Sequence, residues 1–173
     1  MKLDRRQFVA AATAMGATLA WGGRAAASRL AWNERRDLFP EGVASGDPSP
    51  DSVILWTRRP CLGDSPRQLT VEVAEDPQFH RVVALAAAPV LAEADWTCRV
   101  LVGGLKPARE YFYRFADAEG NGSRIGRTIT APRPGDKRPV QFAFVSCQDV
   151  NEGKLNAYRR MIFEDERADP VDR

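Results

Sequence analysis

Histidine is nearly missing: the 173-residue chain has one, His80. That leaves a single imidazole to serve as base for any thiol or hydroxyl nucleophile. Cysteine is scarce as well. Cys61, Cys98 and Cys147 make an odd count, so at least one thiol stays without an intramolecular partner in an oxidising compartment. Cys61 and Cys98 both fall in a β-rich stretch and are the pair to expect if one forms; buried free thiols are the alternative. Charge of one sign is not in excess, with 25 Lys and Arg against 23 Asp and Glu. Nothing here calls for nucleic acid as a partner. The longest mildly apolar run, Ala10 to Trp21, falls short of the ~20 residues a membrane helix needs. It is also broken by Gly16 and followed by Gly22 and Gly23, so no stable transmembrane segment is expected. No internal repeat occurs, and no low-complexity tract beyond the N-terminal alanines.

What the chain does have begins at its N-terminus. Asp4-Arg5-Arg6-Gln7-Phe8-Val9 resembles the twin-arginine export signal of bacteria. It is followed by the apolar run and by Ala25-Ala26-Ala27, a small-residue cleavage site of the A-x-A kind. Asp4 stands where Ser or Thr is common, and Val9 where Leu is common. An alanine-rich amphipathic helix is the competing interpretation. The paired arginines ahead of an uncharged stretch favour residues 1–27 as an export signal. The twin-arginine machinery is then a partner, and the destination is periplasmic or extracellular. This segment holds four of the basic residues (Lys2, Arg5, Arg6, Arg24) and one acid (Asp4), leaving 21 basic against 22 acidic and a net charge of −1. The apparent basicity belongs to the signal.

Residues 28–38 are polar and charged and read as a linker. From 39 to 132 the pattern is β. Ser52-Val-Ile-Leu-Trp-Thr-Arg58 is a short β-rich run. Leu69, Val71 and Val73 alternate with polar residues, and Trp96, Cys98, Val100 and Val102 alternate with Asp95, Thr97 and Arg99 over the first part of their run. Tyr111, Tyr113 and Phe115 share one face of a further strand, and Glu119-Gly-Asn-Gly122 signals a hairpin. Short strands at this spacing predict a β-sandwich. Within Gly104-Leu105-Lys-Pro107-Ala-Arg-Glu-Tyr111-Phe-Tyr113 lies the pattern of the tyrosine corner found in fibronectin type III and immunoglobulin-like domains, where a tyrosine hydroxyl bonds back to the backbone. Corner or core packing is favoured there over a binding surface made of the two tyrosines.

Arg133 to Pro139 is a Pro- and Gly-containing polar segment that marks a boundary. Beyond it the apolar run Val140 to Val145 suits a strand buried on both faces. Leu155, Tyr158, Met161 and Ile162 then form a stripe at helical spacing, with Asp149 and Asn151 as N-cap candidates. A strand, a polar turn and a helix place the turn where ligands bind in α/β proteins. Cys147 opens that turn. It is a nucleophile, a metal ligand or a buried structural thiol. The nucleophile needs His80, which lies far off on a turn after Glu75-Asp-Pro-Gln-Phe79, and a lone histidine there is more simply a solvated residue.

Three stretches carry a family resemblance. Phe39-Pro-Glu-Gly-Val-Ala-Ser-Gly-Asp-Pro-Ser-Pro-Asp-Ser-Val-Ile-Leu-Trp-Thr-Arg58, the corner from Leu105 to Tyr113, and Phe142-Ala-Phe-Val-Ser-Cys-Gln148 followed by Asn156-Ala-Tyr-Arg159 resemble the N-terminal part of the PhoD-type alkaline phosphatases, secreted metallophosphoesterases. The resemblance implies a mainly β chain: an immunoglobulin/fibronectin-III-like sandwich at 39–132, a linker at 133–139, and at 140–173 the first strand and helix of a truncated α/β metallophosphatase domain. It implies metal-assisted hydrolysis of phosphate mono- or diesters, iron and calcium as cofactors, and Cys147 as an iron ligand. The remaining ligands are expected from a Gly-Asp-x-x-Tyr segment downstream and from later carboxylate, Asn and His motifs. Asp169 and Asp172 lie in the polar lead-in to that segment and are not assigned as ligands. No catalytic residue is assigned. The expectation is therefore an N-terminal fragment of an exported phosphatase that is inactive by itself. A stand-alone secreted sandwich for binding or spacing is the alternative.

Overall fold

Ten strands form among the residues that the computed structural model describes, which are 17–21, 25–61, 67–139, 142–146, 149, 151 and 155–167. The strands are β1 (Ala17–Trp21), β2 (Asn33–Glu34), β3 (Val43–Gly46), β4 (Ser52–Arg58), β5 (Arg67–Ala74), β6 (Val82–Val90), β7 (Thr97–Gly103), β8 (Glu110–Ala116), β9 (Asn121–Gly122) and β10 (Gly126–Ile129). They form two sheets. The first has the order β1-β7-β4-β3; the second runs β2-β9-β8-β5-β6, with β10 also paired to β8. Most pairings are antiparallel, while β1 on β7 and β2 on β9 are parallel. The chain divides into two compact units, residues 1–134 and 135–173.

The protein is mainly β, and both sheets of the first unit contribute to one hydrophobic core. Val53 and Leu55 from β4 and Cys98, Val100 and Val102 from β7 meet Leu69, Val71 and Val73 from β5 and Tyr111, Tyr113 and Phe115 from β8. The period of two in these strands is the cause: alternate side chains point to one face, and that face leaves water. A fully buried side chain of this size contributes about 1.5–3 kcal/mol. The corner predicted from sequence also forms. The Tyr111 hydroxyl accepts the Lys106 N–H at 2.9 Å, and Thr130 Oγ1 donates to the Lys106 carbonyl at 2.6 Å. Of the two candidate tyrosines it is Tyr111 that makes the bond. Tyr113 instead lies across Gly126, where an added Cβ would meet its ring at 2.4 Å.

Residues 28–38, expected as a linker, are instead a strap packed on the second sheet. The Asn33 and Arg35 amides donate to the carbonyls of Gly120 and Gly122, at 2.8 and 2.9 Å. The Trp32 indole N–H donates to the Ser123 carbonyl at 3.1 Å. The polar composition that suggested a linker serves backbone pairing and a buried ionic group. The Ala17–Trp21 segment, inside the expected export signal, pairs along β7 with Ala17 opposite Arg99 and Trp21 opposite Gly103. Cys61 and Cys98 are free thiols. Burial pushes the Cys98 thiol up to about 12, so it sits in the core as an inert small apolar group.

The hairpin signalled by Glu119 to Gly122 is organised by Asp117. Its Oδ1 accepts the Glu119 and Asn121 amides at 3.1 and 2.8 Å, and its Oδ2 accepts from Arg59 at 3.1 Å. Burial pushes the Asp117 carboxyl up, but hydrogen bonds from Asn121 and Arg59 outweigh that and hold it below the usual carboxylate range. A carboxyl depressed in the fold contributes stability above its unfolded pKa and loses it as pH falls through the folded pKa. Urea midpoints are therefore expected to drop on acidification below about pH 4, the ordinary aspartate range. Asp117→Asn should flatten that drop; an unchanged pH slope in the variant would show that other carboxylates control it.

Candidate functional site

The expected site was a strand ending at Cys147. Cys147 itself lies outside the described residues, and so do Asp169 and Asp172. The flanking segment can be read. Residues 142–146 form no strand, and Phe142 and Phe144 are 85% and 87% exposed. This corrects the prediction of a strand buried on both faces. A parallel strand is stable only between hydrogen-bonded neighbours under covering helices, and the second unit has no other strand among the described residues.

The helix after the turn does form. It is α1, Asn156–Arg167. Its start is later than either proposed cap. The Leu155 carbonyl accepts the Arg159 amide at 3.2 Å, which places Leu155 at the N-cap. Asp149 instead accepts the Asn151 amide at 2.7 Å in a local turn. The stripe of Leu155, Tyr158, Met161 and Ile162 is exposed.

His80 sits on the turn between β5 and β6 with its ring in solvent. Asp76 builds this turn, accepting the amides of Gln78, His80 and Arg81 at 3.1, 3.0 and 2.8 Å. Burial pushes the Asp76 carboxyl up, but the backbone donors from His80 and Arg81 outweigh it and leave it lowered. The imidazole Nδ1 lies 3.5 Å from Asp76. This is the solvated turn histidine that the sequence favoured.

Two acid-centred clusters escaped sequence reading. Beside the His80 turn, Glu75 is nearly buried and meets Arg81, Arg109 and Lys106 at 3.0, 3.2 and 3.4 Å. Burial pushes the Glu75 carboxyl up, yet Arg109 first, and then Lys106 and Arg81, hold it low. It lines a cleft of about 220 Å³ with Ala25, Leu105 and Tyr111. An ionised carboxylate already committed to three cations is a poor general base and a poor metal ligand. The second cluster joins Ser28, Glu72 and Arg114 beneath the strap. The signal for both was available only as two acids, Glu72 on β5, where alternation marks it as outward-facing, and Glu75 just past the end of that strand. Among the described residues, no three of His, Cys, Asp and Glu converge to hold a metal ion. The described donors therefore do not fit an iron–calcium centre.

Comparison with known proteins gives a consistent result. Residues 24–132 match the PhoD-like phosphatase N-terminal domain. Alkaline phosphatase D of Bacillus subtilis (strain 168) is 36% identical over 174 residues, an alignment that takes in 93% of this chain and 30% of that protein. A solved structure of PhoD matches with a TM-score of 0.68 and 36% identity, covering 71% of this chain and 25% of that one. The chain thus spans under a third of the length of these relatives.

Proposed function

Because the chain belongs to the PhoD-like phosphatase family, we propose that it is the N-terminal part of an exported phosphoric ester hydrolase acting on phosphate mono- or diesters. The observation that carries this is the match of residues 24–132 to the family's N-terminal domain, a stretch that holds every strand of the two-sheet unit except β1. In this reading the unit is an immunoglobulin-like sandwich, supported by the Tyr111 corner bond. Residues 1–27 are its twin-arginine signal, and 140–173 open the catalytic domain. Cys147 supplies one thiolate to the metal centre, iron with calcium, in the whole protein. The other ligands lie outside this chain, which is inactive alone. A spacer module is the weaker reading, because the alignment with alkaline phosphatase D takes in 93% of the chain, well beyond the sandwich.

The test is to read the frame past codon 173 and assay the encoded polypeptide on bis(p-nitrophenyl) phosphate. A Gly-Asp-x-x-Tyr segment is expected directly downstream, with metal-dependent turnover. Outer-shell partners of a metal are worth about 10–100-fold in affinity or activity, so loss of a direct ligand in Cys147→Ala should cost at least about 100-fold. Full activity in that variant would remove Cys147 from the site. Turnover by the 173-residue chain itself would overturn the assignment of the missing ligands.

A further inference from the structure

The cleavage segment Ala25-Ala26-Ala27 is part of the fold. Ala26 forms an antiparallel bridge with Val82 on the outer edge of β6. Both backbone bonds are made, Ala26 N–H to the Val82 carbonyl at 3.1 Å and Val82 N–H to the Ala26 carbonyl at 2.8 Å. The next bond in line runs from the Ser28 N–H to the Phe79 carbonyl at 2.9 Å. Ser28 is then anchored: its hydroxyl donates to Glu72 at 2.7 Å and accepts from Arg114 at 2.9 Å. Further along, Trp32 is seated against Gly122, where an added Cβ would lie 2.0 Å from the indole. On the other side of the segment, Ala17–Trp21 pairs with β7. The cleavage site is therefore tied to the sheets at both ends.

A leader peptidase, like other proteases, must pair with the backbone of an extended substrate, and here the N–H and carbonyl of Ala26, at the centre of the segment, are already used by Val82 of β6. We infer that the folded sandwich masks its own processing site, so that the segment from Ala26 to Ser28, which leads into the strap, must detach from the β6 edge before the chain is cut after Ala27. The inference rests on the export reading above and adds an order of events: folding first, local undocking next, cleavage last. Cleavage then follows the population of the undocked form when docking is fast. The cost of breaking these bonds keeps that population about tenfold or more below that of an undocked chain.

Purified type I signal peptidase in detergent provides the probe. It is presented with the full folded chain, with a synthetic peptide of residues 17–36, and with full-length Gly122→Ala and Trp32→Ala. Both variants loosen the strap and leave the Ala25–Ala27 sequence intact. The peptide should be cut after Ala27, the folded chain at least about tenfold more slowly, and both variants at rates recovering toward the peptide's. In parallel, the Val82 amide, which donates to Ala26, should be protected from exchange before cleavage and lose that protection after it. Equal rates for peptide and folded chain would overturn the mask and leave the export reading standing. Slow cleavage that persists in both folded variants, with the Val82 amide freely exchanging, would also overturn it. A peptide left uncut after Ala27 would remove the processing site itself, and the inference with it. If Gly122→Ala fails to fold, Trp32→Ala and the Val82 amide still decide the matter.

Discussion

Glu72→Ala is expected to destabilise the sandwich by about 3–5 kcal/mol, measured as the shift in urea unfolding at neutral pH, because it strands a buried guanidinium. Glu72 on β5 and Arg114 on β8 stand directly opposite each other in the ladder. Arg114 Nε and Nη2 donate to one carboxylate oxygen at 3.0 and 2.9 Å. The residues are only 1% and 8% exposed, and the guanidinium lies 4.0 Å from the Phe79 ring centroid and 5.1 Å from that of Trp32. A cross-strand ion pair on an open sheet face is worth less than about 1 kcal/mol. The strap changes that by removing water from both partners, so that losing one leaves a desolvated charge. The double variant Glu72→Leu/Arg114→Met removes both charges and should be far closer to wild type than Glu72→Ala. A single-variant loss below about 1 kcal/mol would mean that water reaches Arg114 and that the strap is not closed over it.

This pair also marks the limit of what the sequence discloses. Leu69, Val71 and Val73 are core residues as their alternation says, and the same period assigns Glu72 correctly to the opposite face. What alternation cannot say is that a later-docked segment covers that face. Residues 28–38 look like a linker because their apolar content is low, yet Trp32 finds its seat at Gly122, some ninety positions away. Only tertiary contact reveals such a pairing. β6 was missed for a different reason. Val82–Val90 has four alanines among its nine residues and contains Pro89, which argues against a strand by propensity. Its burial nevertheless alternates cleanly, with Ala84, Ala86, Ala88 and Val90 inside. Pro89 is tolerated because β6 is an edge strand, paired to β5 alone within its sheet order. The candidate site was less legible than the fold. The Cys147 turn draws its meaning from family motifs, and the strand that should precede it needs neighbours for its hydrogen bonds.

Amide exchange should separate the two units by orders of magnitude. Helix α1 is 12 residues long and has no buried residue. Isolated helices shorter than about 12–15 residues are marginal in water, since nucleation is costly and stability comes from packing an amphipathic face. The local supports are small. Arg160 pairs with Glu164 one turn on, and the Arg160 and Arg167 guanidinia lie 5.4 and 5.1 Å from the Phe163 ring centroid. Together these are worth roughly 1 kcal/mol. The apolar stripe of Leu155, Tyr158, Met161 and Ile162 adds nothing while it faces solvent. Exchange at Tyr158 to Phe163 is therefore expected within about tenfold of unstructured rates. Amides of Val71, Val100 and Phe115, in the cores of the sheets, should be slowed by about a thousandfold or more, as global opening requires. Comparable protection in the two units would show that α1 is packed in solution. In the longer polypeptide of the proposed enzyme the same stripe should become the face that packs on the catalytic sheet. Exchange at Met161 and Ile162 should then slow toward that of the sandwich core. A helix that exchanges freely in both contexts would not be a structural part of a phosphatase domain.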